Sequence, residues 1–352
     1  MSGPANYSQA AAEAPLTRPM QKANYVQIES LVVLKIIKHA ENERTGAGDL
    51  AQGYLTGLVS SEDQRLEVTN CFPMPKLKSE DDEEALAKHQ ESMLKMFRHV
   101  NVDYLLLGWY QSAPFGACFN EAFVESMFDY QSLIDDSIVL VYDPVKSGQG
   151  LLSLKAYRLS TEAMNLCYKD FSPDSIKKAG LTYEKLFEEL PIKIKNSHLV
   201  NVALCEFALA KKPGPAKQAL DLGSSGSLEK CLRQLMGHVE SLNQETNKFN
   251  KYVVAKQRHD ALKENWLQKR MLENESRRSR GEPPLPVEEE LGKMFRIPNI
   301  PSMLDGMLAA SEVKAHVDHT LQVSAQNLSK LFIAESVVGS ERPAGGAVTS
   351  GK

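Results

Sequence analysis

The sequence predicts an α/β (α+β) chain in which a central mixed β-sheet flanked by helices is followed by long C-terminal helices. Three observations carry this reading. Strand-like apolar runs interchange with amphipathic runs up to about residue 160. Pro and Gly then punctuate "KKPGPAKQALDLGSSGS" at 211–227. Beyond that bend, apolar residues recur at alternating steps of four and three, the spacing of a helix that packs against another helix.

The elements follow in order. Residues 1–22 are rich in Ala, Pro, Ser and Gln and predict a disordered tail. "NYVQIES" (24–30) predicts a strand. It leads into "LVVLKIIKHAENE", where Leu31, Leu34 and Ile37, with Val33 and Ile36 beside them, give a helical apolar face. "TGAGDL" ends that helix. "AQGYLTGLVSSEDQRLEVTNCFPMP" predicts two strands around the polar turn "SSEDQ". "SEDDEEALAKHQESMLKMFRHV" (79–100) opens with acids that suit a helix dipole and continues with Leu86, Met93, Leu94 and Phe97. "DYLLLGWYQS" predicts a short apolar strand, central in the sheet. "FNEAFVESMFDYQS" predicts a helix, and "SIVLVYDP" and "LSLKAYRLS" predict strands joined by the turn "VKSGQG". "FEELPIKIKNS" (187–197) predicts one further strand. The resulting units are a domain over 23–210, a linker over 211–227, a helical segment over 228–335 and a disordered tail over 336–352.

In the helical segment the apolar seam runs Leu228, Leu232, Leu235, Val239, Leu242, Phe249 and Val253, with Thr246 as its weak position. Packing into a bundle with other subunits is the favoured expectation, and folding back onto the chain's own domain is the alternative. "GEPPLP" stops this helix. A second helix at about 302–335 repeats the spacing with Val317, Leu321, Ser324, Leu328 and Leu331.

Composition narrows the function classes. The 352 residues are 42% hydrophobic and 24% charged, with a formal net charge of −4. That balance excludes a chain that binds nucleic acid by overall charge. Residues 226–281 nevertheless hold a local basic surplus, concentrated at Lys269, Arg270, Arg277, Arg278 and Arg280, which could contact RNA in an assembly. Cys71, Cys118, Cys167, Cys205 and Cys231 are scattered without a CxxC pair, so buried free thiols in a reducing compartment are expected. No apolar run approaches the roughly 20 residues needed to span a bilayer, so no membrane partner and a cytoplasmic location are expected. His316 and His319 lie three apart, but no acidic or cysteine partner is evident beside them in sequence. A solvated or interfacial helix face is expected there. "EDDEE" (80–84) reads as a helix start, not a cation site.

"VLKIIKHA", "GYLTG", "CFPMP", "LLLGWYQSAP" and "VLVYDP" resemble the MPN domain, the fold of the JAMM metalloproteases. In active members a His-x-His-Pro motif is followed by Ser seven residues after the Pro and Asp three further on. A Glu lies upstream, three residues before a Gly. Placed on this sequence, the histidine positions are Gln111 and Ala113, the serine position Glu121, the aspartate position Val124 and the glutamate position Leu50. Ala and Val offer no donor, Gln is a weak zinc ligand and Leu50 cannot serve as a base. No catalytic and no metal-ligating set is therefore read, and no cofactor is expected. The frame Gly108, Trp109, Tyr110, Ser112 and Pro114 is retained; its residues are expected to shape the core.

With the C-terminal helices included, the chain is similar to MPN subunits of the eukaryotic translation initiation factor 3 complex. The resemblance implies a non-catalytic scaffold (a pseudoenzyme) that supports preinitiation complex assembly and mRNA recruitment. It implies MPN–MPN pairing with the F subunit, a helical bundle shared with other subunits, and indirect attachment to the small ribosomal subunit. The pairing surface would come from Phe123, Met127 and Phe128 on one helix or Met93 and Phe97 on another. Alternatives are a scaffold of the proteasome-lid or COP9-signalosome type, a JAMM isopeptidase with borrowed ligands, and a direct RNA-binding module.

Overall fold

The computed structural model describes residues 22–45, 50–60, 63–75, 83–148, 150–210, 225–281, 283 and 299–340. The expected N-terminal tail up to 21, the break at 46–49, part of the "SSEDQ" turn, the "EDD" of the acidic cluster, the linker at 211–224, most of the "GEPPLP" stop and the C-terminal tail from 341 lie outside them.

The chain runs β1 (Tyr25–Ile28), α1 (Ser30–Thr45), β2 (Gln52–Ser60), β3 (Arg65–Pro73), α2 (Glu83–His99) and β4 (Leu105–Ser112). A 3-10 turn at Pro114–Gly116 leads to α3 (Glu121–Leu133), β5 (Ile138–Tyr142), α4 (Pro144–Gly148) and β6 (Leu154–Leu159). Three short helices follow, α5 (Thr161–Cys167), α6 (Pro173–Ala179) and α7 (Tyr183–Leu186), then β7 (Phe187–Leu190), β8 (Ile192–Ile194) and α8 (His198–Ala210). Two long helices end the fold, α9 (Ser225–Ser279) and α10 (Leu304–Ser340).

The strands form one mixed eight-stranded sheet in the order β7-β6-β5-β4-β2-β3-β1-β8. The apolar β4 is central, antiparallel to β2 and parallel to β5. The expected single strand at 187–197 is two strands at opposite ends of this order. Pro191 separates them; lacking an N–H, it cannot continue a ladder. One residue bridges both edges only if the sheet curls until they meet. Two contacts hold that closure. Val26 N donates to Pro191 O at 2.9 Å. The buried Arg158 donates to Ala23 O at 3.0 Å and grips the Glu188 carboxylate at 2.8 and 3.1 Å.

Period-two alternation along β4 feeds a core on each face of the sheet. Tyr110 joins the cluster of Val32, Ile36 and Ala40 from α1, while Trp109 joins Phe123, Val124 and Met127 from α3. The face of α1 differs from the expected one. Val32, Val33, Ile36 and Ala40 are buried, and Leu31 and Leu34 are exposed. Steps of four from residue 32 keep one stripe against the sheet, and positions 31 and 34 lie to its sides. The turn "VKSGQG" carries the helical turn α4, and α8 lies where no element was expected. Its sequence is apolar almost all round, so it has no polar face to set a period. Three of the free cysteines are buried as expected, but Cys167 is half-buried and Cys205, on α8, is exposed.

Helices α9 and α10 form an antiparallel hairpin. Cys231 approaches Thr320 (3.7 Å), and His238 approaches Glu312 (3.7 Å). The hairpin returns to the sheet domain. Leu304 and Leu308 enter the α3 core, Met303 N donates to Phe171 O at 2.9 Å, and Lys314 pairs with Glu184 at 3.1 Å.

Candidate functional site

The end of β4 and the loop to α3 hold the positions the JAMM pattern singles out. Ser112 clamps the loop to the start of β2: its Oγ accepts from Ala51 N, and its N donates to Ala51 O, both at 2.8 Å. Gln111 is buried, and its Oε1 accepts from Gln52 Nε2 at 3.3 Å. Ala113 and Val124 are buried in one apolar cluster with Trp109, Cys118 and Met127. Glu121 is exposed in the first turn of α3, behind an N-cap in which Asn120 Oδ1 accepts from Phe123 N at 2.8 Å. Leu50 is exposed. A zinc ion of the JAMM kind does not fit this residue set: two positions are aliphatic and packed, and a cation beside them would be desolvated without ligands.

The retained frame has packing reasons. Gly108 has φ +143°, and a Cβ there would sit 1.9 Å from Ile138 O on the neighbouring strand. Trp109 stacks against Tyr130 at 4.7 Å. Tyr110 OH meets His39 Nδ1 at 2.9 Å, and burial pushes its phenol pKa up. Pro114 starts the 3-10 turn.

The C-terminal hairpin covers this loop. Phe115 adopts a left-handed φ of 62°, a conformation that costs a non-Gly residue about 1 kcal/mol or more. Its buried ring packs on His319 at 4.9 Å and His316 at 5.8 Å, which holds it there. Phe119 N donates to Glu312 Oε1 at 2.6 Å. Neither His316 nor His319 is solvated: both are buried, and burial first of all lowers both imidazoles to about 4. The acidic and cysteine partners not evident in sequence are present, as Glu312 and Cys231. The spacing carries a signal for Glu312 alone, which with His316 and His319 falls at steps of four and three on one helix; Cys231 comes from α9 and shows only in the packed hairpin.

The seven-residue seam divides between two sides of α9. Leu228, Leu235, Leu242, Phe249 and Val253 are half-buried, whereas Leu232 and Val239 are exposed at 42% and 47% with Met236 between them. Leu242 and Phe249 line a groove of about 420 Å³ with Met303, Met307 and Ile176. Of the candidate pairing residues, Phe123 and Met127 are buried in the domain's own core. Phe128 packs on Tyr168 at 4.8 Å, and Phe97 packs on Phe72 at 5.6 Å. At the basic end, Arg270 and Arg277 both lie beside Glu273, at 3.4 and 3.8 Å, while Lys269, Arg278 and Arg280 are exposed.

Comparison with known proteins resolves the family. Residues 21–136 match the family described as "JAB1/Mov34/MPN/PAD-1 ubiquitin protease", and residues 147–343 match "C-terminal region of eIF3h". The H subunit of eukaryotic translation initiation factor 3 from Brugia malayi is 44% identical over 93% of this chain and 96% of its own. The chain belongs to the family of initiation factor 3 H subunits. The H-B protein of Danio rerio in that family is 45% identical over 89% of this chain and 93% of its own, and the Xenopus tropicalis protein 44% over 89% and 92%. The two matches together cover most of the sheet domain and the C-terminal hairpin. Among the described residues, no helix is long and apolar enough to cross a membrane.

Proposed function

We propose that this chain is a non-catalytic scaffold of the cytoplasmic translation initiation factor 3 complex, and that it assists preinitiation complex assembly and mRNA recruitment to the small ribosomal subunit by holding other subunits in place. The observation that carries the reading is the packing of Ala113 and Val124 in an apolar cluster. A hydrolytic zinc needs about three donors and an open water position, and the loop supplies neither. What the fold offers instead is surface. Leu232, Met236 and Val239 on α9, Leu328 and Phe332 on α10, and Leu199 and Phe207 on α8 are exposed apolar side chains on helices, the kind of face a helical bundle covers. The half of the seam on the Leu235 and Leu242 side turns inward, so subunit contact is assigned to the Leu232 and Val239 side. Since Phe123 and Met127 are used in the core, α2 is the element left for pairing with the MPN domain of the F subunit, with Met96 exposed beside the half-buried Met93 and Phe97.

Native mass spectrometry of the assembly captured through this chain tests the reading. One copy should travel with other initiation factor 3 subunits, a second MPN protein among them. Capture of the chain alone, or within a lid-like or signalosome-like complex, contradicts it.

A further inference from the structure

We propose that the crossing of α9 and α10 is a divalent metal site of the zinc class, with His238, Glu312 and His316 as its three protein ligands. The site uses none of the positions of the JAMM pattern and does not depend on the scaffold reading. One ligand atom from each of the three lies within 4.8 Å of the others. A tetrahedral zinc with bonds of about 2.0–2.1 Å sets its ligand atoms roughly 3.3 Å apart. His238 Nε2 and Glu312 Oε2 are already 3.7 Å apart; the His238 and His316 rings are stacked at 5.1 Å with 26° between their planes, so loading requires the partly exposed His238 ring to turn its lone pair toward the ion.

The second observation is a deficit of partners. Glu312 is 8% exposed and His316 0%, yet Glu312 Oε2 and His316 Nε2 have no hydrogen-bond partner among the described residues. Leaving such groups unmade is costly in a protein interior, about 1–3 kcal/mol each. Both are electron-pair donors, and one cation between them and His238 satisfies both. The other atom of two of the ligands is already held. Glu312 Oε1 takes Phe119 N at 2.6 Å, and His316 Nδ1 faces Cys231 Sγ at 3.5 Å. Metal ligands are oriented by such outer contacts. The His238 side chain is 35% exposed and gives an ion a way in. A filled site would tie α9, α10 and the β4–α3 loop together.

The test uses the full chain, purified with a cleavable tag free of histidine, stripped with EDTA and titrated with Zn2+ and with Co2+. One equivalent of Zn2+ should bind and raise Tm, and Co2+ should show the intense visible bands of a four-coordinate ion. His238→Ala, at a half-exposed position, and Glu312→Gln, which keeps the oxygen that Phe119 needs, should each weaken Zn2+ binding by more than about 100-fold, beyond the loss expected for an outer partner. His319→Ala should leave the stoichiometry unchanged. Absence of uptake by the wild-type chain, or uptake that persists in both ligand variants while circular dichroism shows them folded, would overturn the site.

Discussion

Glu312 of α10 accepts the backbone N–H of Phe119 at 2.6 Å, across 193 residues of sequence. The bond joins the C-terminal hairpin to the β4–α3 loop. Burial raises the Glu312 carboxyl above its usual range, with the neighbouring His238 and the Phe119 bond opposing that rise. Glu312→Ala should destabilise the chain by about 1–3 kcal/mol, because it leaves a buried N–H unpaired. Glu312→Gln retains an acceptor and should cost less. Urea denaturation of the two metal-free variants measures the difference.

Writing a donor back into the old site should damage the fold. Val124→Asp places a carboxylate among Trp109, Cys118 and Met127. An unpaired buried charge is strongly unfavourable, and a loss of about 3 kcal/mol or more is expected, visible as a fall in Tm. Added zinc should raise the Tm of the variant no more than that of the wild type, since Ala113 supplies no second ligand. A rise specific to the variant would argue that the loop still shapes a coordination site.

Gly108→Ala tests the packing role of the retained frame. With φ at +143° and Ile138 O 1.9 Å from the new Cβ, either the β4–β5 ladder shifts or the backbone strains. The expected loss is above about 3 kcal/mol, in the tail reserved for steric and backbone defects. A near-neutral result would show that the frame is retained for another reason.

The β6–β7 edge, whose Arg158 also reaches Ala23 O, should weaken in acid. The Arg158 guanidinium lowers the Glu188 carboxyl below its ordinary 4.5, mainly through their hydrogen bonds. A depressed folded pKa contributes stability that is present above the unfolded value and is lost as pH falls through the folded one. Glu188 is 45% exposed, so solvent screening makes this contribution small. Arg158→Met should remove this pH dependence and also leave Ala23 O without its donor. Comparing unfolding of wild type and Glu188→Gln at pH 6 and pH 3.5 measures it: the gap between them should shrink in acid.

Much of this fold was legible because one face of most elements is apolar at the period its geometry demands. The helix of Phe123 and Met127 is an example; β4 was legible instead as a short run apolar on both faces. That Gln111, Ala113 and Val124 make a poor zinc ligand set was legible too, since it follows from residue types alone. The curl of the sheet was not. It depends on where Pro191 falls between two short strands, and a run such as "FEELPIKI" carries no sign of which edge each half joins. Helix α8 was missed because an evenly apolar segment has no period to read. The histidine cluster needed the hairpin crossing, which brings His238 from α9 against residues on α10. The split of the seam has the same origin: a 4-3 spacing fixes a stripe, and only the partner's angle decides which half it covers.

The scaffold account meets its sharpest test in a face variant of α9. Leu232→Asp with Val239→Asp charges two exposed side chains outside the inward half of the seam. The variant should keep wild-type circular dichroism and Tm yet lose other initiation factor 3 subunits in a quantitative pull-down, by tenfold or more. Undiminished recovery of those subunits by a folded variant would contradict the claim that this surface holds the assembly.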